Sequence, residues 1–344
     1  MHKKNILITG GAGFIGSNFI SYFTEKYPEY FIINLDKLTY AGNLANLESV
    51  KNNKHYTFIH GDICDSSLLN AIFKKYNING VINFAAESHV DNSIKSPYQF
   101  IKTNIEGTFQ LLETAKNFWM NNPFKVKDEY KNARFHHVST DEVYGTLGKS
   151  GLFSETTSYA PNSPYSASKA SSDFLVRAYS NTFGLETTIS NCSNNYGPYQ
   201  HQEKLIPVII KNAINLKSIP IYGNGLNVRD WLYVTDHCTG IDKVYHQGKP
   251  GETYNIGGGN EKTNLEVVNI ICRILDSEMP RKDQKNYSDL ISFVEDRAGH
   301  DERYAIDASK IENELSWRAE ENFETGIRKT VLWYLNKLSK NSNV

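Results

Sequence analysis

The chain has 344 residues, 40% of them hydrophobic and 22% charged, the balance of an ordinary globular protein with room for two domains or for one domain and a lobe. A net charge of −1 gives no electrostatic case for nucleic acid or an anionic membrane, and no apolar run reaches the length of a membrane span. The four cysteines (Cys64, Cys192, Cys238, Cys272) hold no C-x-x-C spacing and the ten histidines no H-E-x-x-H pattern, so no metal centre is expected. The cysteines read as small buried hydrophobes of a reducing compartment, and the short basic start does not read as a signal peptide, so a cytoplasmic protein is expected.

Residues 5–9 predict an apolar strand, followed at once by glycines at 10, 13 and 16 and by a helical pattern through Phe19, Ile20 and Phe23. Glycines in that strand–turn–helix setting let backbone approach a pyrophosphate at a helix N-terminus, which makes Gly10, Gly13 and Gly16 candidate dinucleotide ligands. Residues 31–35 predict a second strand ending at Asp36, where a carboxylate hydrogen-bonds a ribose 2′-hydroxyl and repels a 2′-phosphate. That favours NAD over NADP. Residues 56–63 predict a third strand, with Asp62 placed to face the adenine, and residues 80–86 a fourth, whose small Ala85 and Ala86 leave space for a cofactor. The polar loop 87–91 follows, then a long helical stretch from Ser96-Pro97 to about Trp119 and an exposed, irregular excursion over 120–133.

Residues 134–138 predict the central strand, and Ser139-Thr140-Asp141-Glu142-Val143-Tyr144-Gly145 lies just past its end. In an open α/β sheet ligands bind beyond the carboxyl ends of the strands, and a hydroxyl with two carboxylates there suits proton transfer. Ser163-Pro164 is a helix start, with Tyr165 and Lys169 one turn apart on one face of a helix to about Phe183. Residues 185–190 predict a sixth strand, so the alternation implies a doubly wound parallel sheet. Beyond Pro198 the pattern loosens: a helix over 204–216, a turn at 222–225, a strand over 228–234, a strand over 253–257 rejoining the main sheet, a helix capped by Asn264 to Leu275, a charged loop at 296–301 and an amphipathic helix over 323–338. The expected division is a dinucleotide domain at 1–197 with about 230–262, interleaved with a smaller substrate domain at 198–229 and 263–344.

The glycine loop together with Tyr165-x-x-x-Lys169 resembles the extended short-chain dehydrogenase/reductase superfamily. Asp36-Lys37-Leu38-Thr39-Tyr40-Ala41-Gly42-Asn43, Ala85-Ala86-Glu87-Ser88-His89-Val90-Asp91, the Thr140-Asp141-Glu142 block, Asn194-Asn195-Tyr196-Gly197-Pro198, Val228-Arg229-Asp230-Trp231-Leu232-Tyr233-Val234 and Asp296-Arg297-Ala298-Gly299-His300-Asp301 are similar to the dTDP-glucose 4,6-dehydratase family. These blocks run from residue 9 to residue 307; Asn92 departs, standing where the family usually carries arginine.

The resemblance implies an α/β fold with a Rossmann-type sheet and a smaller C-terminal substrate domain, NAD as cofactor, a nucleotide-sugar substrate and a homodimer paired through the helices at 97–119 and 164–183. It implies C4 oxidation, elimination across C5 and C6, and hydride return to C6. Tyr165 is the implied base at the C4 hydroxyl, its pKa lowered by Lys169 and the oxidised nicotinamide; Thr140 hydrogen-bonds the same oxygen, Glu142 takes the C5 proton and a protonated Asp141 releases the C6 hydroxyl. Around the glycines, cofactor contacts carry over onto Phe14, Ile15, Asp36, Lys37, Leu38 and Thr39; further along they fall on Asp62, Ile63, Ala85, Ala86, Ser88, Thr103, Tyr165, Lys169 and Asn195. Substrate contacts carry over onto His89, Thr140, Asn194, Lys204 and Leu205, then Pro220, Tyr222, Arg229 and Asn264, and lastly Arg297 and His300, the arginines suiting a diphosphate. A 4,6-dehydratase of another nucleotide sugar and an NAD-dependent nucleotide-sugar 4-epimerase stay open; the epimerase has no use for Asp141-Glu142. A non-catalytic dinucleotide sensor should lack the tyrosine or the lysine, and both are here.

Overall fold

Seven parallel strands run through the middle of the protein in a computed structural model that describes residues 4–296 and 301–341. They are β1 (Lys4–Thr9), β2 (Tyr30–Asp36), β3 (Tyr56–His60), β4 (Gly80–Asn83), β5 (Arg134–Thr140), β6 (Thr187–Cys192) and β7 (Thr253–Ile256). Their spatial order is β7-β6-β5-β4-β1-β2-β3, the doubly wound Rossmann-type order that the alternating pattern predicts. The chain winds outward from β1 to β3, crosses back to β4 and winds the other way. The crevice between β1 and β4 is therefore the switch point where a ligand enters.

Both faces of the sheet are covered, which is why its strands are apolar on both sides. Ile6 and Ile8 of β1 point into one core with Phe19, Ile20 and Tyr245, while Leu7 points into the other with Ile33, Val81, Phe135 and Leu112. Each such side chain, once fully buried, stabilises the fold by about 1.5–3 kcal/mol. A third core joins the helices Leu205–Ile214, Asn264–Glu278 and Phe323–Asn341 through Ile209, Ile210, Val267, Ile271, Phe323 and Ile327. It is tied to the main sheet just past β6, where Asn194–Tyr196 pairs in parallel with Val228–Tyr233, and that strand in turn pairs with Glu261–Thr263. The pairing brings the third core up to the carboxyl edge of the sheet.

Several local expectations are corrected. The stretch 97–119 is not one regular helix: Pro97–Phe100 and Thr108–Trp119 flank a π-helical turn over Ile101–Gly107. The excursion at 120–133 is not wholly exposed; it folds as a small hairpin and a 3-10 turn whose Met120, Tyr130 and Ala133 are buried in the second core. Asn264 is the first residue of its helix rather than the cap, because Thr263 accepts from the Glu266 N–H and Glu266 reaches back to it. A helix at Val234–Gln247 and a short one at Ser309–Leu315 lie in stretches where the sequence reading placed no element.

Candidate active site

The glycine loop packs where the sheet reverses. Gly10 sits at φ +70°, and a Cβ there would lie 2.6 Å from the Ala85 nitrogen at the end of β4. A Cβ at Gly16 would collide with the Gly10 carbonyl oxygen, so only glycine lets the helix Phe14–Lys26 start this close to the turn. That helix has no side-chain cap and no acidic residue in its first turn. Its leading N–H groups face the cleft with the positive end of the helix dipole, the arrangement that holds a diphosphate. Asp36 closes β2, its carboxylate accepting from the N–H groups of Ala12 and Leu38, both at 2.8 Å. Lys37 bridges to Asp62 at 2.7 Å across the same end of the cleft. A close-approach loop, an uncapped helix start and a fixed carboxylate fit a dinucleotide.

The cleft continues to the end of β5. Thr140 is the last strand residue and caps a 3-10 turn, Asp141–Tyr144, its hydroxyl accepting from the Glu142 N–H at 3.3 Å. The turn lifts Asp141 and Glu142 into the cleft opposite the helix Pro164–Phe183. Ser163 and Ser166 form a reciprocal capping box with Pro164 at the first helical position, which sets the angle of Tyr165 and Lys169. The Tyr165 ring is packed edge-on against Phe100, centroids 6.2 Å apart. The Lys169 ammonium donates to the Val138 carbonyl at 2.8 Å and lies 3.2 Å from His137 Nε2. Tyr165, Thr140, Asp141 and Lys169 are all buried.

Burial dominates the electrostatics here. It pushes the Asp141 carboxyl well above the usual carboxylate range, helped by the charges of Glu142 and Asp230 and opposed by Arg229 and the Thr140 hydroxyl. Asp141 Oδ1 accepts weakly from Thr140 at 3.4 Å, and Oδ2 has no hydrogen-bond partner among the described residues. A protonated acid with one oxygen free is a proton donor. In the chain itself the Tyr165 phenol is raised well above its ordinary value, first by burial and then by the Glu142 carboxylate, while the Lys169 ammonium is directed to Val138 and His137.

The cleft is lined by Gly10, Gly13, Phe14, Ile15, Gly16, Asp36, Lys37 and Thr39, by Asp62, Ile63, Ala85, Ala86, Ser88 and Thr103, and by Thr140, Asp141, Glu142, Tyr165, Lys169, Asn194, Asn195 and Lys204. Leu38 does not line it; its side chain turns back against the first core. His89 caps the short helix Val90–Lys95 by accepting from the Asn92 backbone N–H, a bond that does not depend on the side chain at 92. Leu205, Pro220, Tyr222 and Asn264 stand beyond the cleft lining, on the elements around the third core. Arg229 is buried under Tyr304, 4.4 Å from its ring, and donates to the Asp301 carbonyl at 2.9 Å; its charge still reaches Asp141. Arg297 and His300 fall outside the described residues.

Sequence reasoning gave no role to Asn104. Buried in the π turn, it donates to Ser168 Oγ at 2.8 Å and to the Glu87 carbonyl at 3.0 Å and accepts from the Glu87 N–H, tying the loop after β4 to the tyrosine helix. The signal was there: an asparagine one turn from Phe100 and from Thr108, on the stripe that faces the core.

Fold and cleft together define a dinucleotide-dependent enzyme of the short-chain dehydrogenase/reductase type. The family described as GDP-mannose 4,6 dehydratase matches residues 7–330. The chain is 53% identical to the dTDP-glucose 4,6-dehydratase of Neisseria gonorrhoeae over 344 residues, 99% of this chain and 98% of that one. It superposes with a TM-score of 0.85 on the crystal structure of dTDP-glucose 4,6-dehydratase from Bacillus anthracis in complex with NAD, at 48% identity and 98% coverage of each chain. The UDP-glucose 4-epimerase of Thermotoga maritima, solved with UDP-glucose, gives a TM-score of 0.84 at 27% identity, covering 97% of this chain and 99% of that one. The chain belongs to the dTDP-glucose 4,6-dehydratase family.

Proposed function

We infer that this chain converts dTDP-glucose to dTDP-4-keto-6-deoxyglucose and water, with NAD as a cofactor regenerated in each turnover. Gly10, Gly13 and Gly16 with the helix start would hold its diphosphate, Asp36 its ribose, and Tyr165 and Lys169 its nicotinamide end. When bound, NAD supplies the hydride acceptor and donor and a positive charge beside the phenol. Tyr165 takes the proton of the C4 hydroxyl, and Thr140 hydrogen-bonds the same oxygen. The C4 ketone acidifies C5; Glu142 removes the C5 proton and Asp141 protonates the departing C6 hydroxyl as water. Glu142, its proton exchanged with water, then protonates C5 as C6 is reduced, and through solvent Tyr165 loses the proton it took and Asp141 regains the one it gave.

The observation that carries the reading is Asp141, buried, raised in pKa and with one oxygen free, beside a second carboxylate. An epimerase expels no hydroxyl and has no use for a buried acid there. With dTDP-, UDP-, CDP- and GDP-glucose offered separately, mass spectrometry is expected to find loss of one water from the dTDP sugar. Epimerised product of unchanged mass would overturn the reading. Asp36 makes a second expectation: nucleotide released by denaturation should chromatograph as NAD, and NADP as the main species would remove Asp36 from its role.

The substrate contacts assigned to His89, Asn194, Lys204, Leu205, Pro220, Tyr222, Arg229, Asn264, Arg297 and His300 are part of this proposal, as are a cytoplasmic location and a homodimer. For the homodimer the support is apolar exposure on the two helical stretches: Tyr98 is 66% exposed, Ile101 52% and Phe174 56%. No helix among the described residues is long and apolar enough to cross a membrane.

A further inference from the structure

Behind the tyrosine lies a buried carboxylate that the reaction above does not use. Tyr165, Lys169 and Asp173 recur at intervals of four and share one face of the helix Pro164–Phe183. Asp173 is 0% exposed and Lys169 3%. His137 of β5 stands between them, its Nε2 3.2 Å from the lysine nitrogen and 3.5 Å from Asp173 Oδ1. The other carboxylate oxygen accepts from Ser139 Oγ at 2.8 Å and from the Tyr159 hydroxyl at 3.1 Å, while Oδ1 has no hydrogen-bond partner among the described residues. A buried ammonium or a buried carboxylate is costly alone; in one layer each offsets the other.

We propose that Asp173 is a positioning residue whose carboxylate, on the far side of His137, keeps the Lys169 ammonium charged. The groups facing that ammonium are His137 from β5, Cys192 from β6, and Tyr165 and Asp173 from its own helix, with Tyr159 of the preceding loop on the far side of Asp173. Burial, and then the lysine charge, hold His137 neutral, and burial raises Cys192, Tyr159 and Tyr165 so that they stay protonated. Lys169 and Asp173 are the charged members. Burial brings the lysine down to about 8 against the pull of Asp173, and brings Asp173 up to about 6 against the pull of Lys169. Both charges coexist between those values, and the ammonium form is lost as pH rises through the upper one. Removing the carboxylate lowers that upper bound.

The test is Asp173→Asn in the full chain, labelled with ε-¹³C-lysine, the Lys169 resonance being identified by its loss in Lys169→Arg. The Lys169 titration is expected to fall by about one pH unit or more, with Asp173→Glu restoring it. The alkaline limb of dehydration should move by the same amount, costing kcat roughly fivefold at pH 8 and little at pH 6, for one unit. That activity limb rests on the dehydratase reading; the resonance does not, so the two failures are distinguishable. An unmoved Lys169 titration overturns the proposal. Should Asp173→Asn not fold, the unsubstituted protein decides: its Lys169 resonance should respond near pH 6 as well as near pH 8, and a single step near 8 overturns the proposal.

Discussion

Tyr165→Phe is expected to lower kcat for dehydration by about 10²–10⁴-fold, the usual contribution of a positioned acid or base, or about 3–5 kcal/mol of barrier. The fold should survive. The ring is buried edge-on against Phe100, and phenylalanine keeps that contact. The hydroxyl is the only group lost, so bound NAD, measured after denaturation, should match the unsubstituted protein. The direction of the phenol pKa adds a pH expectation. Burial and Glu142 hold the phenol protonated in the chain itself, so the base form grows as pH rises and the acid limb of the rate should belong to Tyr165. In Tyr165→Phe the residual rate should lose that limb. A variant within about threefold of normal activity, or one that keeps the limb, would place the base elsewhere.

How far the sequence carried depends on what kind of information each feature needs. Strands β1 to β7 were readable because both faces of the sheet are buried and their apolar runs are bounded by glycine or polar turns. The cofactor loop and the end of β5 were readable because their chemistry is local: Gly10 to Gly16, Thr140 to Glu142, Tyr165 to Lys169. The helix Val234–Gln247 was missed because its buried stripe is diluted by Asp236, His237 and Asp242, which find partners only in the folded chain. Asp242, for one, accepts from the hydroxyls of Tyr22 and Tyr27, more than two hundred residues away in sequence. The setting of Lys169 was legible only in part, for a similar reason. Spacing places Lys169 one turn from Tyr165, but only the structure shows its ammonium directed to Val138 and His137. Asn104 is divided: its burial was legible from the stripe Phe100, Asn104 and Thr108, but its partners Glu87 and Ser168 meet it only in the folded chain.

Glu142→Gln is expected to abolish water loss, by about 10²-fold or more, while leaving the fold and NAD content intact. The two neighbouring carboxyls are not equivalent. Asp141 is buried, its pKa raised, and one of its oxygens is free to donate; Glu142 is only half-buried and lines the cleft. Burial, with the Glu142 charge beside it, keeps the proton on Asp141. Glu142, at the cleft, is the carboxyl placed to act as the base. The sign of the pH dependence follows: Asp141 is a competent acid below its raised pKa and loses that function as pH rises through it. Glutamine keeps the size of the side chain and removes its basicity. Solvent deuterium gives the decisive readout, because a carboxylate proton exchanges with water. In D₂O the unsubstituted protein should place one deuterium at C5 of the product, delivered from Glu142. Glu142→Gln should leave recovered substrate unlabelled at C5 and form almost no product. Near-normal dehydration with full labelling at C5 in that variant would assign the C5 proton to another base, and Asp141 would then have to serve as both acid and base.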